Sequence, residues 1–502
     1  MTDSQSITTA LLGFVSFSIL LIYVRFLWRR SKMPPGPFPL PILGNFLQLY
    51  SDGLLPGLTK ISKKYGPVCT VYFGSRPTIV VTGYQALKEV FTDSGDAFLN
   101  RGAIPTFDRL FKYEGLSFTN GDEWRQLRQF TLHTLKDFGM GKKSFEDPIL
   151  EEAHHVVEHF RNLNEEPFEP STTLICASSN VLANILLGTR YDYNNKKWME
   201  ILQKSRESFH ILSSVWGQLY EFFPTLMKCL PGPHRKIFTF LEPLENELMK
   251  SIEFHQETLD PACPRDYIDC FLIRIKQEEK NVGVKTPFTI RNLKASIFDM
   301  FLGGTESTAV TVNFGYLILI KHPELQDKLH EEIDRVIGQG REPKAEYQGK
   351  MPLMNALVHE IQRYSDIFPM GFSRATNRDI SFHGYYIPKS TNVLPMLTTA
   401  LRDPTHFETP EEFNIKHFLD ENGKFHKNNA FLPFAAGKRG CIAESMVRMQ
   451  LFLFFTIILQ KFTLKSVVDP KVLDISPTES GIENIPPARK IIFIPRTLEG
   501  GA

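Results

Sequence analysis

The residues of this chain that are best suited to do chemistry lie in a glycine-rich loop near the carboxyl end. The segment FLPFAAGKRGCIAESMVRMQLFLFF, residues 431–455, presents Cys441 just before a long apolar stretch that predicts a helix. Gly437 and Gly440 let the backbone approach a flat cofactor closely and adopt positive φ. The amino terminus of the helix would offer free N–H groups and a positive dipole, which stabilise a thiolate. The loop therefore predicts a metal-binding thiolate, although an isolated cysteine is more often a buried, inert thiol.

A second candidate site is a polar run inside an otherwise apolar stretch. Residues 289–320 are apolar on every face, which predicts a buried helix. Within it, the pair Gly303-Gly304 weakens the helix, and the run 305–308 (Thr-Glu-Ser-Thr) places a carboxyl group where burial is costly. Serine and threonine can also bond back to the preceding turn, which is a structural role. The run nevertheless supplies the candidates for proton transfer, which are Glu306, Ser307 and Thr308.

The cysteine loop has the spacing of a known signature. Phe434, Gly437, Arg439 and Cys441 stand as F-x-x-G-x-R-x-C, which closely resembles the haem-ligand signature of the cytochrome P450 superfamily. The resemblance implies a haem b whose iron is bound by the Cys441 thiolate. It also implies that Phe434 shields the sulfur and that Arg439 contacts a haem propionate. A thiolate ligand donates electron density to the iron, which O–O cleavage requires.

The polar run is similar to the distal helix motif of the same superfamily, in which a small residue and a glycine precede an acid and a threonine. The resemblance implies that Glu306 is the acid and Ser307 the alcohol that relay protons towards the oxygen-binding side of the haem. Serine stands where threonine is usual, so Thr308 is an alternative source of the hydroxyl group. In the cysteine loop, Ala435 replaces a small polar residue and Ala443 replaces the usual glycine.

Other segments match supporting parts of the superfamily. Glu360 and Arg363 form E-x-x-R on one face of a predicted helix, a pattern that by itself is typical of a solvated pair. The resemblance implies that His417 is the third member of this set and that the three residues serve folding and haem retention. It also implies further propionate ligands, because buried carboxylates need several donors and arginine suits them best. These ligands are Trp124, Arg128 and Arg374.

The resemblance also implies which residues contact the substrate. Most of them are apolar, which favours a lipophilic substrate such as a fatty acid, a steroid or a xenobiotic, although each could equally be plain core. The polar exceptions are Asp299 and Glu483, the residue that follows Ile482. The substrate-contacting set is Ile104, Phe107, Phe111, Phe298, Asp299, Phe301, Ile367 and Ile482.

The implied activity is a monooxygenase that uses O2 and electrons from NADPH. The implied partners are NADPH–cytochrome P450 reductase and, as a further electron donor, cytochrome b5. Two other functions remain open, namely a haem-thiolate isomerase or dehydratase and a non-catalytic haem carrier. The motifs LPILGN, GKRGC and GIENIPP are most similar to the microsomal family 2 branch of vertebrates. Basic residues that would face the reductase are Lys136, Lys142, Lys143, Lys438 and Arg448.

The amino terminus predicts a membrane anchor. Residues 7–24 are uncharged and apolar, and as a helix they would extend about 27 Å, close to the hydrocarbon thickness of a bilayer. Basic residues follow at once (Arg25, Arg29, Arg30 and Lys32), which predicts a cytosolic body on the endoplasmic reticulum. A cleaved signal peptide would need a basic leading region and a small-residue cleavage site, which the segment lacks. We therefore divide the chain into a single-pass anchor (1–28), a basic and proline-rich hinge (29–45) and a catalytic domain (46–502).

Composition and periodicity predict the fold class. The chain has 57 basic and 56 acidic residues, a balance that does not favour nucleic acid as a partner. Its six cysteines include no C-x-x-C pair, which argues against disulfide or zinc frameworks. Strand-like segments occur at 68–73, 78–81 and 380–387, and segments such as 323–337 and 351–364 have helical spacing. The sequence therefore predicts a mainly α fold with a small β portion, forming one haem-binding, cytochrome P450-like domain behind a transmembrane helix.

Overall fold

The protein is mainly helical, as the periodicity predicts. The computed structural model describes residues 2–51, 53–139, 145–280, 283 and 285–496, and of residues 2–10 and 12 it describes the backbone alone. The helices are α1 (Thr2–Lys32), α2 (Phe46–Tyr50), α3 (Leu54–Tyr65), α4 (Tyr84–Lys88), α5 (Pro105–Phe111), α6 (Gly115–Phe118), α7 (Gly121–Asp137), α8 (Glu146–Arg161), α9 (Ser171–Leu187), α10 (Lys196–Ser213), α11 (Val215–Phe222), α12 (Pro224–Cys229), α13 (Lys236–Thr258), α14 (Tyr267–Glu278), α15 (Ile290–Lys321), α16 (Pro323–Val336), α17 (Pro352–Ser365), α18 (Thr398–Leu401) and α19 (Glu444–Lys461).

The small β portion consists of short strands. They are β1 (Val68–Phe73), β2 (Arg76–Val81), β3 (Asn100–Arg101), β4 (Arg374–Ala375), β5 (Ile380–Phe382), β6 (Tyr385–Ile387), β7 (Asn392–Pro395), β8 (Phe462–Ser466), β9 (Glu479–Ser480), β10 (Asn484–Ile485) and β11 (Ile491–Pro495). The predicted strands at 68–73 and 78–81 are confirmed as an antiparallel pair, and the segment 380–387 is the β5–β6 hairpin.

The long helix α15 runs through the centre of the molecule. Thr289 caps it by accepting a hydrogen bond from the Asn292 backbone N–H at 3.2 Å. Its 32 residues extend about 48 Å, and its apolar faces are buried against α6, α9, α13, α17 and α19. The prediction of a buried helix over 289–320 is therefore confirmed, and α15 carries the polar run into the middle of the core.

The largest sheet positions two arginines side by side. Its strands have the order β1-β2-β7-β4-β3, with β2 and β7 parallel and the other pairs antiparallel. In the β3–β4 pair, Arg101 lies directly opposite Arg374. Side chains that are directly opposite in such a pair are close neighbours. The sheet therefore brings together two positive charges that lie 273 positions apart in the chain.

The E-x-x-R motif forms a buried brace at the end of α17. Glu360 and Arg363 make a two-bond ion pair at 2.7 Å, and neither side chain is exposed. Arg363 also donates to the backbone carbonyls of Leu401, Pro410 and Glu412. The His417 ring lies 3.2 Å from both Glu360 carboxylate oxygens. The brace therefore ties α17 to the irregular segment that precedes the cysteine loop.

The first helix covers the predicted apolar run. Apolar side chains of α1, such as Phe14 and Ile22, are 70% and 69% exposed, and Arg29, Arg30 and Lys32 lie in its last turn. Within the ranges described above, we find no helix that combines the length and the apolar content needed to cross a membrane.

Candidate functional site

The cysteine loop folds tightly against the rest of the protein. Gly437 has a φ of +73°, and a Cβ atom at this position would lie only 1.9 Å from the Phe91 carbonyl oxygen. Only glycine fits such a contact without a backbone shift. The Cys441 N–H donates to the Phe434 carbonyl at 3.0 Å, which closes the loop one turn before α19. Ala435, one of the departures from the signature, takes a left-handed φ of +56°.

The thiol of Cys441 faces an internal cavity of about 280 Å³. The surrounding protein raises the pKa of Cys441 through desolvation, and the Glu444 carboxylate adds to this effect. The backbone N–H groups of Ala443 and Glu444, at the start of α19, and the Arg128 guanidinium act in the opposite direction. The helix terminus therefore stabilises the thiolate as predicted, but without a metal this stabilisation does not outweigh desolvation.

Four arginines converge on the same cavity. Arg128 and Arg439 belong to the predicted set, and so does Arg374, whereas sequence reasoning missed Arg101. Burial lowers the pKa of Arg439 to about 7 and that of Arg101 to about 10, and it lowers the pKa of Arg374 well below its usual range. The neighbouring guanidinium groups contribute to each of these shifts, as the next cause after burial for Arg439 and Arg374 and a smaller one for Arg101. So much buried positive charge requires an anionic partner.

The protein itself supplies little of that negative charge. Asp299 acts on Arg101 and Arg439, but its carboxylate already accepts bonds of 2.6 Å from the Ser117 N–H and hydroxyl. Within the described chain, the Arg374 guanidinium has no hydrogen-bond acceptor and only lies over the Phe91 ring, at 5.3 Å. A group with two carboxylates would satisfy this cluster. The residues present therefore fit the two propionates of a haem.

The Arg439 side chain is held in place by contacts within the protein. It donates to the carbonyls of Leu99 and Thr119 at 2.8 and 2.6 Å, and its guanidinium lies 3.9 Å from the centre of the Trp124 ring. Arg128 donates to the Gly440 carbonyl at 2.7 Å. These contacts hold the loop that carries Cys441 and the arginine cluster together. Trp124, Phe434 and the arginines all line the cavity.

Part of the polar run on α15 lines the same cavity as Cys441. A Cβ atom on Gly303 would meet nothing within 4 Å, so the helix surface is open there. The Ser307 hydroxyl donates to the Gly303 carbonyl at 2.6 Å, and both Ser307 and Glu306 line the cavity. Thr308 does not line it, and its hydroxyl group is buried without a partner among the described residues. Thr311, which sequence reasoning missed, lines the cavity one turn beyond Ser307.

The structure brings together only part of the predicted substrate set. Phe107, Phe111, Asp299, Ile367 and Ile482 line the main cavity. Ile104 instead lines a neighbouring cavity of about 80 Å³ that shares Phe107 and Ile482 with the main one. Lining residues that sequence reasoning missed include Leu116, Phe118, Leu182, Phe209, Phe372 and Leu397.

Phe298 and Phe301 line neither of the two cavities, contrary to the prediction. The Phe298 ring packs on Phe111, with 5.4 Å between ring centres, and Phe301 packs edge-on against Trp198 at 5.7 Å. The reason is helical geometry, because positions 298 and 301 share a face of α15 that turns towards neighbouring core side chains. Asp299 differs from these two phenylalanines because it lines the main cavity, with both of its carboxylate oxygens accepting hydrogen bonds from Ser117.

The basic residues that would face a reductase differ in how exposed they are and in whether they already have a partner. Lys136 is exposed, and Lys438 is exposed but paired with Asp96 at 2.7 Å. Arg448 is less available, because its side chain is 19% exposed and contacts both Glu444 and His359. Lys142 and Lys143 lie outside the described residues.

A pocket that combines one thiol with an excess of guanidinium groups suits a flat, dianionic cofactor with a metal, and so indicates a haem-thiolate protein. The comparisons with known proteins agree with this class. The family model for cytochrome P450 matches residues 34–493. The chain is 45% identical to cytochrome P450 2C44 of Mus musculus over 490 residues, which is 97% of this chain and 99% of the relative. It is 44% identical to cytochrome P450 2A6 of Homo sapiens over 496 residues, or 99% and 100% of the two chains.

The chain therefore belongs to the cytochrome P450 family, and its relatives are vertebrate family 2 members. Membership makes it a monooxygenase and implies a haem with thiolate ligation, a redox partner and a lipophilic substrate. The predicted resemblance is thus confirmed.

Proposed function

We propose that this protein binds haem b through the Cys441 thiolate and uses O2 to hydroxylate or epoxidise a fatty acid, a steroid or a xenobiotic. In this proposal the electrons come from NADPH through NADPH–cytochrome P450 reductase, with cytochrome b5 as a further donor. The observation that carries the proposal is the cluster of Arg101, Arg128, Arg374 and Arg439 around the cavity that Cys441 faces, with too little negative charge to neutralise it.

The proposed roles of the chain's residues follow from their contacts. When bound, the haem supplies the redox chemistry and the activation of O2. Arg128, Arg374 and Arg439 hold its propionates, with Arg101 as an addition and Trp124 packed beneath Arg439. Phe434 lines the cavity beside Cys441 and keeps water away from the sulfur. The N–H groups at the start of α19 hold the thiolate in place.

The proton relay in this proposal begins at Glu306 and ends at Ser307. Burial raises the pKa of Glu306 to about 7, so the carboxyl group can both hold and release a proton near neutral pH. The Ser307 hydroxyl lies beside the open surface at Gly303 and can pass that proton into the cavity. The apolar lining of the cavity keeps other water out.

We also propose a location and a division of the chain. The exposed apolar surface of α1 and the basic residues after it favour a single-pass anchor over residues 1–28. Residues 29–45 then act as a hinge, and the catalytic domain from residue 46 onwards lies on the cytosolic face of the endoplasmic reticulum. The exposed residues Lys136 and Lys438 are available to meet an acidic reductase surface.

The thiolate assignment is tested by substituting the ligand. Cys441→Ser should abolish the absorption band that thiolate-bound ferrous haem shows with carbon monoxide, because a hydroxyl group is a poor iron ligand. Cys263→Ser, which changes an exposed cysteine, should keep that band. A Cys441→Ser protein that keeps the band would refute the assignment.

The type of reaction is tested with the purified holoenzyme. Product that forms only with NADPH and reductase supports the monooxygenase. Conversion of a hydroperoxide without reductase would instead indicate the isomerase or dehydratase, and haem binding without either reaction would indicate a carrier.

A further inference from the structure

The guanidinium group of Arg448 on α19 is largely enclosed by the protein. Its Nη2 donates to the Glu444 carboxylate at 2.8 Å, and its Nη1 contacts the ring nitrogen Nε2 of His359 on α17. The centre of the guanidinium also lies over the Phe434 ring, 5.4 Å from the ring centre. Two polar contacts and an aromatic ring therefore fix the position of this charge next to the cysteine loop.

The His359 ring is itself held rigidly enough to fix the guanidinium. Three phenylalanine rings surround it, with ring centres 4.6 to 5.4 Å from its own, and these are Phe418, Phe425 and Phe431. Its Nδ1 donates to the Asn355 carbonyl at 2.8 Å, because a carbonyl can only accept. Burial, followed by the charge of Arg448, lowers the pKa of His359 to about 3. The ring is therefore neutral, and its Nε2 accepts the bond from Arg448.

The Phe434 ring connects the guanidinium to the proposed iron ligand. Phe434 and Cys441 both line the main cavity, whereas Arg448 does not. The Phe434 carbonyl accepts the Cys441 N–H at 3.0 Å, so the backbone holds these two residues together. A guanidinium over the face of a phenylalanine ring attracts the ring and resists its displacement. Arg448 thus contacts the ring from outside the cavity lining.

Only a planar, forked group can make all of these contacts at once. Arg448 uses Nη1 for His359 and Nη2 for Glu444 while the plane of the group stays over the ring. Its Nε is buried with no hydrogen-bond partner among the described residues. A lysine would carry the same charge on one compact ammonium group and could not reach both partners from that position.

We propose that Arg448 is a positioning residue that clamps the Phe434 ring beside the Cys441 sulfur, keeps water from the sulfur and thereby preserves the electron donation of the thiolate. The proposal rests on the haem ligation by Cys441 proposed above. Water at the sulfur would donate hydrogen bonds to it and draw electron density away from the iron. Arg448 therefore tunes the ligand through Phe434 and does not serve to dock the reductase.

The test is the iron–sulfur stretching frequency in resonance Raman spectra of the haem-loaded ferric protein. Arg448→Met should lower this frequency, because hydrogen bonds from water weaken the thiolate as a donor. It should also speed the conversion of the thiolate form into the thiol form roughly two- to fivefold, the effect of one cation–π contact at a partly exposed site. Arg448→Lys should shift the frequency in the same direction, since it keeps the charge but not the fork. An unchanged frequency in Arg448→Met, or a wild-type frequency in Arg448→Lys, would overturn the proposal.

Arg274→Met is the matched control. Arg274 on α14 also pairs with a glutamate one turn away, Glu278 at 2.6 Å, and its guanidinium lies 5.0 Å from the centre of the Phe288 ring. This substitution should leave the iron–sulfur frequency at the wild-type value, and a comparable shift would show that the effect is general and not specific to the clamp. Adding Glu444→Gln to Arg448→Met should not restore the frequency. Restoration would show that the ion pair with Glu444, and not the ring, controls the sulfur.

Further arms separate this proposal from its alternatives. If Arg448→Met does not fold, His359→Phe removes the Nε2 acceptor, keeps an aromatic ring and should lower the frequency too. The absence of a shift in His359→Phe would contradict the clamp. A docking role for Arg448 instead predicts slower reduction by the reductase with an unchanged frequency. Wild type without any iron–sulfur mode would refute the ligation by Cys441 itself, so failures of the two proposals are distinguishable.

Discussion

In the proposed proton relay, the residue that delivers the proton must have a hydroxyl group facing the cavity. Ser307 and Thr308 are adjacent in sequence, yet only Ser307 lines the cavity, with its hydroxyl bonded to the Gly303 carbonyl. Adjacent residues on a helix point about 100° apart, so one of them turns into the core. Thr311, one turn further on, donates to the Ser307 carbonyl at 2.7 Å and lines the cavity too.

We expect Ser307→Ala to uncouple the enzyme. Haem binding and substrate affinity should be retained, whereas product per NADPH should fall and hydrogen peroxide should rise, because a positioned proton transfer typically contributes roughly 10²- to 10⁴-fold. Ser307→Thr should match or exceed wild type, since the added methyl group restricts the rotamer. Thr308→Ala is the matched control and should leave the peroxide-to-product ratio near that of wild type. An unchanged ratio in Ser307→Ala would remove Ser307 from the mechanism.

We expect a substitution in the arginine cluster to have opposite effects on the haem-free and the haem-loaded protein. Arg374→Met should stabilise the haem-free protein, because it removes a buried positive charge that has no acceptor within the described chain. In the loaded protein it should weaken haem retention by about 1.5–3 kcal/mol, the typical value of a hydrogen bond to a charged group. Haem transfer to an apoprotein acceptor and urea unfolding measure the two effects. Arg378→Met, at an exposed position on the same segment, should change neither. Equal signs in the two assays would contradict this account.

At the scale of elements, α17 illustrates how burial changes the contribution of an ion pair to stability. The motif E-x-x-R occurs at Glu360–Arg363 with both side chains fully buried, and again on α8 at Glu158–Arg161, where they are 60% and 50% exposed. An exposed pair contributes about 0–1 kcal/mol, whereas removing one partner of a buried pair leaves an uncompensated charge. Arg363 also holds three backbone carbonyls from other segments.

We expect Glu360→Gln to reduce the free energy of unfolding by about 3–5 kcal/mol and to increase haem loss, because it strands the Arg363 guanidinium. Glu158→Gln is a control with the same spacing and should cost about 1 kcal/mol or less. Chemical denaturation of both variants measures the difference. Similar losses for the two variants would show that burial of the pair on α17 contributes little.

At the scale of the whole molecule, α1 carries many exposed apolar side chains among the described residues. Phe14, Ile22 and Trp28 are each at least 60% exposed, and the Lys32 ammonium lies 3.8 Å from the centre of the Trp28 ring. A lipid environment would cover such a surface, and the aromatic and basic residues suit the boundary between lipid and water. This surface is the reason for the proposed membrane attachment.

Deletion of residues 1–28 should shift the protein from the membrane fraction to the supernatant, because it removes that apolar surface. Protease added to sealed microsomes should digest the body of the full-length chain, since the basic residues after α1 favour the cytosolic side. Protection of the body would show that the proposed orientation is wrong.

The sequence by itself determined the features that depend on local pattern. Helix α15 with its Thr289 cap, the strands β1 and β2, and the loop around Cys441 were all predictable, because periodicity, capping and glycine spacing act within a few residues. The resemblance to cytochromes P450 rests on the same short motifs, and the comparisons confirm it.

Only the tertiary structure decided which side chains meet across long distances in the chain. Arg101 joins the cluster because β3 pairs with β4, a contact that no local pattern encodes. Phe298 and Phe301 fit the expected positions on α15, yet packing turns them towards Phe111 and Trp198. Spacing fixes which residues share a helix face, but burial and charge depend on what packs against that face.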